Sequence, residues 1–333
     1  MRDAGDRIAA TRIVREGAVA TIGTFDGVHR GHRALLDRLV RRGSALGVPA
    51  VVVTFEPHPA EVLRAGSPPA LLTPGAERIE ALATTGIDYV LLLRFDRRLA
   101  EFTPDRFVDD VLVHRLRIRH LVIGHDHAIG KDRSGDPPTL TALGRTRGFE
   151  VEVVSAIETA GGPISSSAIR RALGAGDVVA AARALGRPYT LRGTVVRGAG
   201  RGRGLGFPTA NFESDDARKL VPAAGVYAAR AAAQAPAASR SSAILDGLLH
   251  IGPRPTFGED RTTLEFFAFD FGGDLYGHMV EVALCERIRG IERFDSSAAL
   301  IAAMRADLDA GRAVFAAGAG ACDAARNSIH FKA

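Results

Sequence analysis

Two histidines three residues apart, His29 and His32, carry the clearest chemistry in this 333-residue chain. They close the stretch Gly23-Thr24-Phe25-Asp26-Gly27-Val28-His29-Arg30-Gly31-His32. The apolar run Ala18–Ile22 precedes it, and Leu35, Leu36, Leu39 and Val40 follow at helical spacing. The reading is strand, tight turn, helix. Three residues is close to one helical turn, so both imidazoles can face one point at the helix start. Free backbone N–H groups and the helix dipole favour an anion there. The alternative is a pair of capping or core histidines. A second helix start carries serines, in Ile164-Ser165-Ser166-Ser167-Ala168-Ile169-Arg170, which read alone as a plain N-cap. A third candidate runs from Gly198 to Gly206, where glycines let backbone approach phosphate and arginines add charge. Its composition also fits an Arg-Gly nucleic-acid segment. It is wedged, however, between a strand and Phe207-Pro208-Thr209-Ala210-Asn211-Phe212.

Alternating strands and helices position the first of these. Buried strands are expected at 49–55, 89–93, 120–124 and 151–154, with helix starts at Thr73-Pro74 and Thr103-Pro104. The second strand ends in Glu56-Pro57-His58-Pro59, which exposes His58 at a carboxyl edge, where ligands of open α/β sheets bind. The fourth runs into a polar loop, His125 to Asp136. The pattern predicts a doubly wound parallel-sheet α/β domain over residues 1–185. From Tyr189 the runs are short and close: 191–197, 225–229, 244–251, 263–269 and 279–284. They predict a β-barrel or sandwich over 186–317, closed by a helix that begins at Asp295-Ser296. Residues 231–242 read as a loose turn, and 318–333 stay unassigned.

Composition narrows the partners. The net charge of +5 suits anionic small molecules and is weak evidence for nucleic acid. Cys285 and Cys322 form no metal-ligand pattern, and Cys285 reads as a core residue. Two isolated cysteines, a polar start and no membrane-length apolar run lead to the expectation of a cytoplasmic protein in a reducing compartment.

The string Thr24-Phe25-Asp26-Gly27-Val28-His29-Arg30-Gly31-His32 resembles the HxGH signature of nucleotidylyltransferases. It is most similar to the adenylyltransferase half of bacterial bifunctional riboflavin kinase/FMN adenylyltransferases, the FAD synthetases. Residues 164–170 resemble that family's ISSTxIR, with Ser167 in place of Thr. The run Gly206–Phe212 resembles the GFPTANF of riboflavin kinases. Residues 251–257 resemble NIGxxPTF, with His250 for Asn, and Leu264–Phe271 resemble LEVHLLDF. The motifs occur in family order across almost the whole chain.

The resemblance implies a nucleotidylyltransferase domain followed by a riboflavin-kinase-like barrel with a C-terminal helix. For adenylyl transfer it implies catalytic roles for His29, His32 and Arg170, with Gly23, Phe25, Asp26, Gly31, Ser165 and Ser166 on ATP or its phosphates. For the kinase it implies Glu265 as base, Thr209 and Asn211 as Mg²⁺ ligands, and Arg201, Gly202, Arg203 and Gly206 on phosphates. His58, Asp126, Arg289 and Phe294 are the implied flavin contacts. Mg²⁺ is the implied cofactor, and ATP, riboflavin, FMN and FAD are substrates or products. No nucleic acid, membrane or redox role of the flavin is implied, and a homo-oligomer is left open. One departure stands out: the family's D-F-R-F-G is Asp126-His127-Ala128-Ile129-Gly130 here, which either weakens flavin stacking or shifts it toward Phe25, Phe55 or His127. Two alternatives therefore stay open. One is a riboflavin kinase with an inactive or altered first domain; the other is a non-catalytic flavin or nucleotide sensor.

Overall fold

In the computed structural model, β1 (Ala18–Ile22) is the middle strand of a five-stranded parallel sheet, and all of it is buried. The structure describes residues 16–64, 66, 68–155, 158–159, 162–197, 207–234, 242–254 and 259–318; Arg201, Gly202, Arg203 and Gly206 lie outside them. A strand covered on both faces must be apolar throughout, so β1 reads as a continuous run. It pairs with β2 (Ala50–Glu56) and β4 (Ile118–Gly124). The edges are β3 (Tyr89–Arg94), beside β2, and β5 (Glu150–Val154), beside β4. The order β3-β2-β1-β4-β5 reverses between β1 and β4, and ligands of such sheets bind at the carboxyl ends beside that reversal.

Alternate strand residues feed two cores. Val19, Ala50 and Val52 face Leu36 and Leu39 of α1 (Arg30–Leu46) and, beyond the short α2 (Pro59–Leu63), Leu82 of α3 (Ala76–Ala83). Ala18, Ala20, Ile22, Val51 and Val53 face the opposite layer. That layer comprises α4 (Arg97–Ala100), α5 (Pro104–Phe107), a π-helical turn Val108–Val113 and α6 (Pro137–Arg147). Thr103 caps α5 and Pro104 opens it, as expected. Thr73 does not cap α3; Gly75 does, because the Thr73 hydroxyl is bonded elsewhere. A two-strand hairpin, β6 (Glu158–Thr159) and β7 (Gly162–Pro163), follows β5.

The chain divides into two units, Met1–Ser165 and Ser166–Ala333. The second opens with α7 (Ser166–Ala175) and α8 (Val178–Leu185). Six antiparallel strands follow: β8 (Tyr189–Val196), β9 (Ala210–Ser214), β10 (Gly225–Gln234), β11 (Ser242–Arg254), β12 (Glu259–Ala268) and β13 (Met279–Arg289). They close as β10-β11-β12-β9-β8-β13, a barrel with no free edge. Residues 231–234, read from sequence as turn, belong to β10. The strand is buried along nearly its whole length because α9 (Ser297–Ala316) covers its outer face, so small residues replace an alternating pattern. Gly311 permits that approach: a Cβ there would lie 2.6 Å from Leu248 Cδ2. Ser296 caps α9, accepting the Ala299 N–H. Cys285 is a core residue, as expected. Among the described residues no helix is long and apolar enough to cross a membrane.

Candidate active sites

At the carboxyl end of β1 the chain turns directly into α1, and His29 is the N-cap of that helix. Its Nδ1 accepts the backbone N–H of His32 at 3.2 Å, so the neutral ring carries its proton on Nε2. The two imidazoles stack, with centroids 3.6 Å apart and planes 15° from parallel. Gly31 makes room for this, since a Cβ there would lie 3.1 Å from the His29 ring. His32 also meets the Phe25 ring edge-on at 5.1 Å. Its Nδ1 is buried with no hydrogen-bond partner among the described residues. Burial, and then the neighbouring His29, hold the His32 pKa well below the usual imidazole range. Two imidazoles at a helix start, with His32 held uncharged by burial, can donate to phosphate without bringing a repelling pair of charges together. A cavity of about 610 Å³ opens beside them, lined by Gly23, Phe25, His32 and Phe55 and, from across it, by Asp126 and His127. The Ile164 carbonyl is 3.7 Å from the position of a Cβ on Gly31, so the segment leading to Ser165 runs beside the start of α1.

In the barrel, Asn211, Glu265 and His250 are Cα partners across three neighbouring strands, β9, β12 and β11. Antiparallel partners project on one face, so the three side chains form a row. Thr209 Oγ1 donates to Glu265 Oε2 at 3.1 Å and Thr263 Oγ1 to Oε1 at 3.0 Å. His250 Nδ1 is 3.8 Å from Glu265 Oε1. A hydroxyl that donates to a carboxylate keeps its lone pairs for a cation. Thr209 and Asn211 thus offer the oxygen donors that a hard divalent ion prefers. Among the described residues no cluster of three or more His, Cys, Asp or Glu forms a self-sufficient metal site.

Two sequence models, end to end, match these two units. That of the FAD synthetase family covers residues 12–168, and that of riboflavin kinase covers 185–315. The bifunctional riboflavin kinase/FMN adenylyltransferase of Escherichia coli K12 is 41% identical over 282 residues, covering 85% of this chain and 88% of that protein. The chain belongs to the bifunctional riboflavin kinase/FMN adenylyltransferase family. The same-named protein of Pseudomonas fluorescens is also 41% identical, over 90% of this chain and 94% of its own. Among solved structures, the crystal structure of a macrolide-efflux protein from Streptococcus pneumoniae matches with a TM-score of 0.80 at 31% identity. It covers 90% of this chain and 95% of that one.

In this chain several of the expected ligand residues also make structural contacts. Asp26, expected on phosphate, is 1% exposed and accepts the backbone N–H groups of Leu72 and Thr73. Phe25 packs beneath His32, and the Gly23 N–H donates to the Val53 carbonyl. His58, expected on flavin, forms a capping box on α2: its Nδ1 accepts the Ala60 N–H while Glu61 accepts its own. Pro59 and Leu63 of that helix line the cavity. Arg289 grips Asp307 of α9 with two bonds, at 2.7 and 2.8 Å, and lies 5.5 Å from the Phe294 ring. That pair ties β13 to the final helix. Ser166 and Arg170 lie on α7, which Ser166 opens. Thr263 and His250, which the sequence reading did not select, lie next to Glu265; Thr263 sits two before it on the strand, and that period-two spacing was the available signal.

The altered loop that lines this cavity places His127 where burial pushes its pKa down to about 4, with Asp126 raising it and Arg133 lowering it. The unfolded chain takes up that proton near the ordinary value of 6.5. Between those values the unfolded state binds more protons, so stability falls as pH falls. From about pH 7 to about pH 5 the urea midpoint should drop by the equivalent of about 1–2 kcal/mol more in wild type than in His127→Gln.

Proposed function

We propose that each unit carries one of the family's two reactions, in this order along the chain. The barrel phosphorylates riboflavin. Glu265 accepts the proton of the riboflavin 5′-hydroxyl, the oxygen attacks the γ-phosphorus of ATP, and the bond to ADP breaks. Thr209 and Thr263 orient the carboxylate, and Thr209 with Asn211 would hold Mg²⁺. When bound, that ion supplies positive charge against the phosphate oxygens. The α/β unit then adenylylates FMN: a phosphate oxygen of FMN attacks the α-phosphorus of ATP and pyrophosphate leaves. His29, through Nε2–H, and His32 stabilise the charge gathering on the α-phosphate. The likeness of residues 164–170 to ISSTxIR supports Ser165 on the outer phosphates. The working domains are 1–185 for adenylyl transfer and 186–317 for the kinase, with 318–333 unassigned; the fold groups α7 and α8 with the barrel. The setting is the cytoplasm, the partners are small molecules, and neither nucleic acid nor membrane enters the scheme.

The observation that carries this reading is the Thr209–Glu265–Thr263 cluster opposite Asn211 in one unit, together with the separate His29–His32 stack in the other. The test is separation of flavins by chromatography after incubation with ATP and Mg²⁺, from riboflavin and separately from FMN. FAD from both is expected, and chelation of the metal should stop both. FMN accumulating from riboflavin, with no FAD from either start, would instead leave a kinase with an idle first unit.

A further inference from the structure

We propose that Asp26, Thr73 and Arg78 are positioning residues for adenylyl transfer, forming a buried clamp that holds a strained loop so that His29 and His32 stay aligned. This rests on the assignment of adenylyl transfer to the first unit. The loop is strained where it matters. Phe25 and Val28 have φ of +50° and +40°, and Gly27 between them has +86°. A β-branched residue such as Val28 is a true outlier there. Backbone of this kind persists only where its surroundings over-determine it.

Those surroundings come from one segment, residues 72–78. Asp26 accepts the N–H groups of Leu72 and Thr73, each at 2.9 Å. The Thr73 hydroxyl accepts the Gly27 N–H at 2.8 Å and sits 3.4 Å from Asp26, to which it donates. From α3, Arg78 donates to the Thr24 carbonyl at 3.3 Å, the Phe55 carbonyl at 2.7 Å and Glu56 at 2.7 Å. The loop is therefore pinned at Thr24, Asp26 and Gly27, immediately before His29. Asp26, Thr73 and Arg78 are only 1%, 6% and 1% exposed, and none lines the cavity. They act through the histidines, not on substrate.

The test uses the full chain and reads both reactions on each variant: the kinase rate reports the second unit, and unchanged KM for FMN and ATP reports that the first unit is folded. Thr73→Val removes the hydroxyl with little change of shape, and Thr73→Ser keeps it. Misplacing catalytic groups slightly costs rate more than binding, so Thr73→Val should lower kcat for FAD formation about 10- to 100-fold. KM for FMN and ATP should stay within about threefold, the kinase rate within about twofold, and Thr73→Ser should recover most of the loss. Arg78→Met should show the same split. The clamp is overturned if both variants keep the wild-type kcat, if Thr73→Ser falls as far as Thr73→Val, or if kinase and adenylyl transfer fall together. His32→Ala runs alongside. Loss of activity in His32→Ala with Thr73→Val intact removes the clamp alone, whereas a wild-type chain inactive on FMN removes the functional assignment and the clamp with it.

Discussion

Glu265→Gln should abolish FMN formation from riboflavin while FAD formation from supplied FMN continues at the wild-type rate. The substitution keeps the length and planarity of the side chain, and its amide oxygen can still accept a hydroxyl from Thr209 or Thr263. What disappears is the capacity to take a proton. A positioned general base contributes about 10²- to 10⁴-fold, and the kinase rate should fall by that range. The side chain is only 11% exposed, so water is poorly placed to substitute for it. The two rates are read by chromatography on one preparation. If they fell together, Glu265 would serve the fold rather than one of two sites.

The second large effect lies in the other unit. His32→Ala should lower adenylyl transfer about 10²- to 10³-fold, the cost of losing one preorganised donor to a developing charge, and leave riboflavin phosphorylation intact. His32 is held neutral by burial and by His29, so it is a donor and not a cation in the free enzyme. A depressed pKa means that protonation begins only well below the ordinary range. The kcat/KM profile for FMN, which reports the free enzyme, should therefore show no inflection from His32 between about pH 6 and pH 8. An inflection removed by His32→Ala would contradict the neutral pair. The same substitution also removes the ring on which His29 stacks, so His32→Gln, which keeps a donor, should recover part of the rate.

Much of this was legible in the sequence, for physical reasons that can be named. The inner strands β1 and β2 announce themselves as apolar runs because both faces are covered, and β1 leads straight into the histidines, whereas the edge strands β3 and β5 are half exposed. Glu265 and Asn211 were legible through resemblance, and the register of β9 and β12 then set them opposite one another. Three positions have partners that no local pattern shows. Asp26 belongs to a phosphate-directed motif, but its carboxylate is buried against Leu72 and Thr73. Thr73-Pro74 has the look of a helix cap, yet the hydroxyl is claimed by Gly27, forty-six residues earlier. Arg78 sits in an ordinary charged helix, Ala76–Ala83, and nothing local marks it as buried. Long-range partners decided each case, and one-dimensional patterns carry only local ones. In β10 the opposite occurred: Ala231, Ala232 and Ala233 are all buried, so alternation is lost, and the missing pattern read as missing structure.

The order of strands in the barrel sets a schedule for the ribosome. The parallel sheet has all its strands once Val154 has been made, whereas β8 must wait for β13, which ends at Arg289. Pairings between segments so distant are slow to form, and domains nearer the N-terminus fold first during synthesis. The nascent chain therefore carries a finished sheet while β8 and its neighbours still expose unpaired backbone. A chain interrupted before β13 would leave an open row of strands in place of a closed cylinder. For this protein, premature termination in the second unit is a hazard of aggregation as much as a loss of kinase.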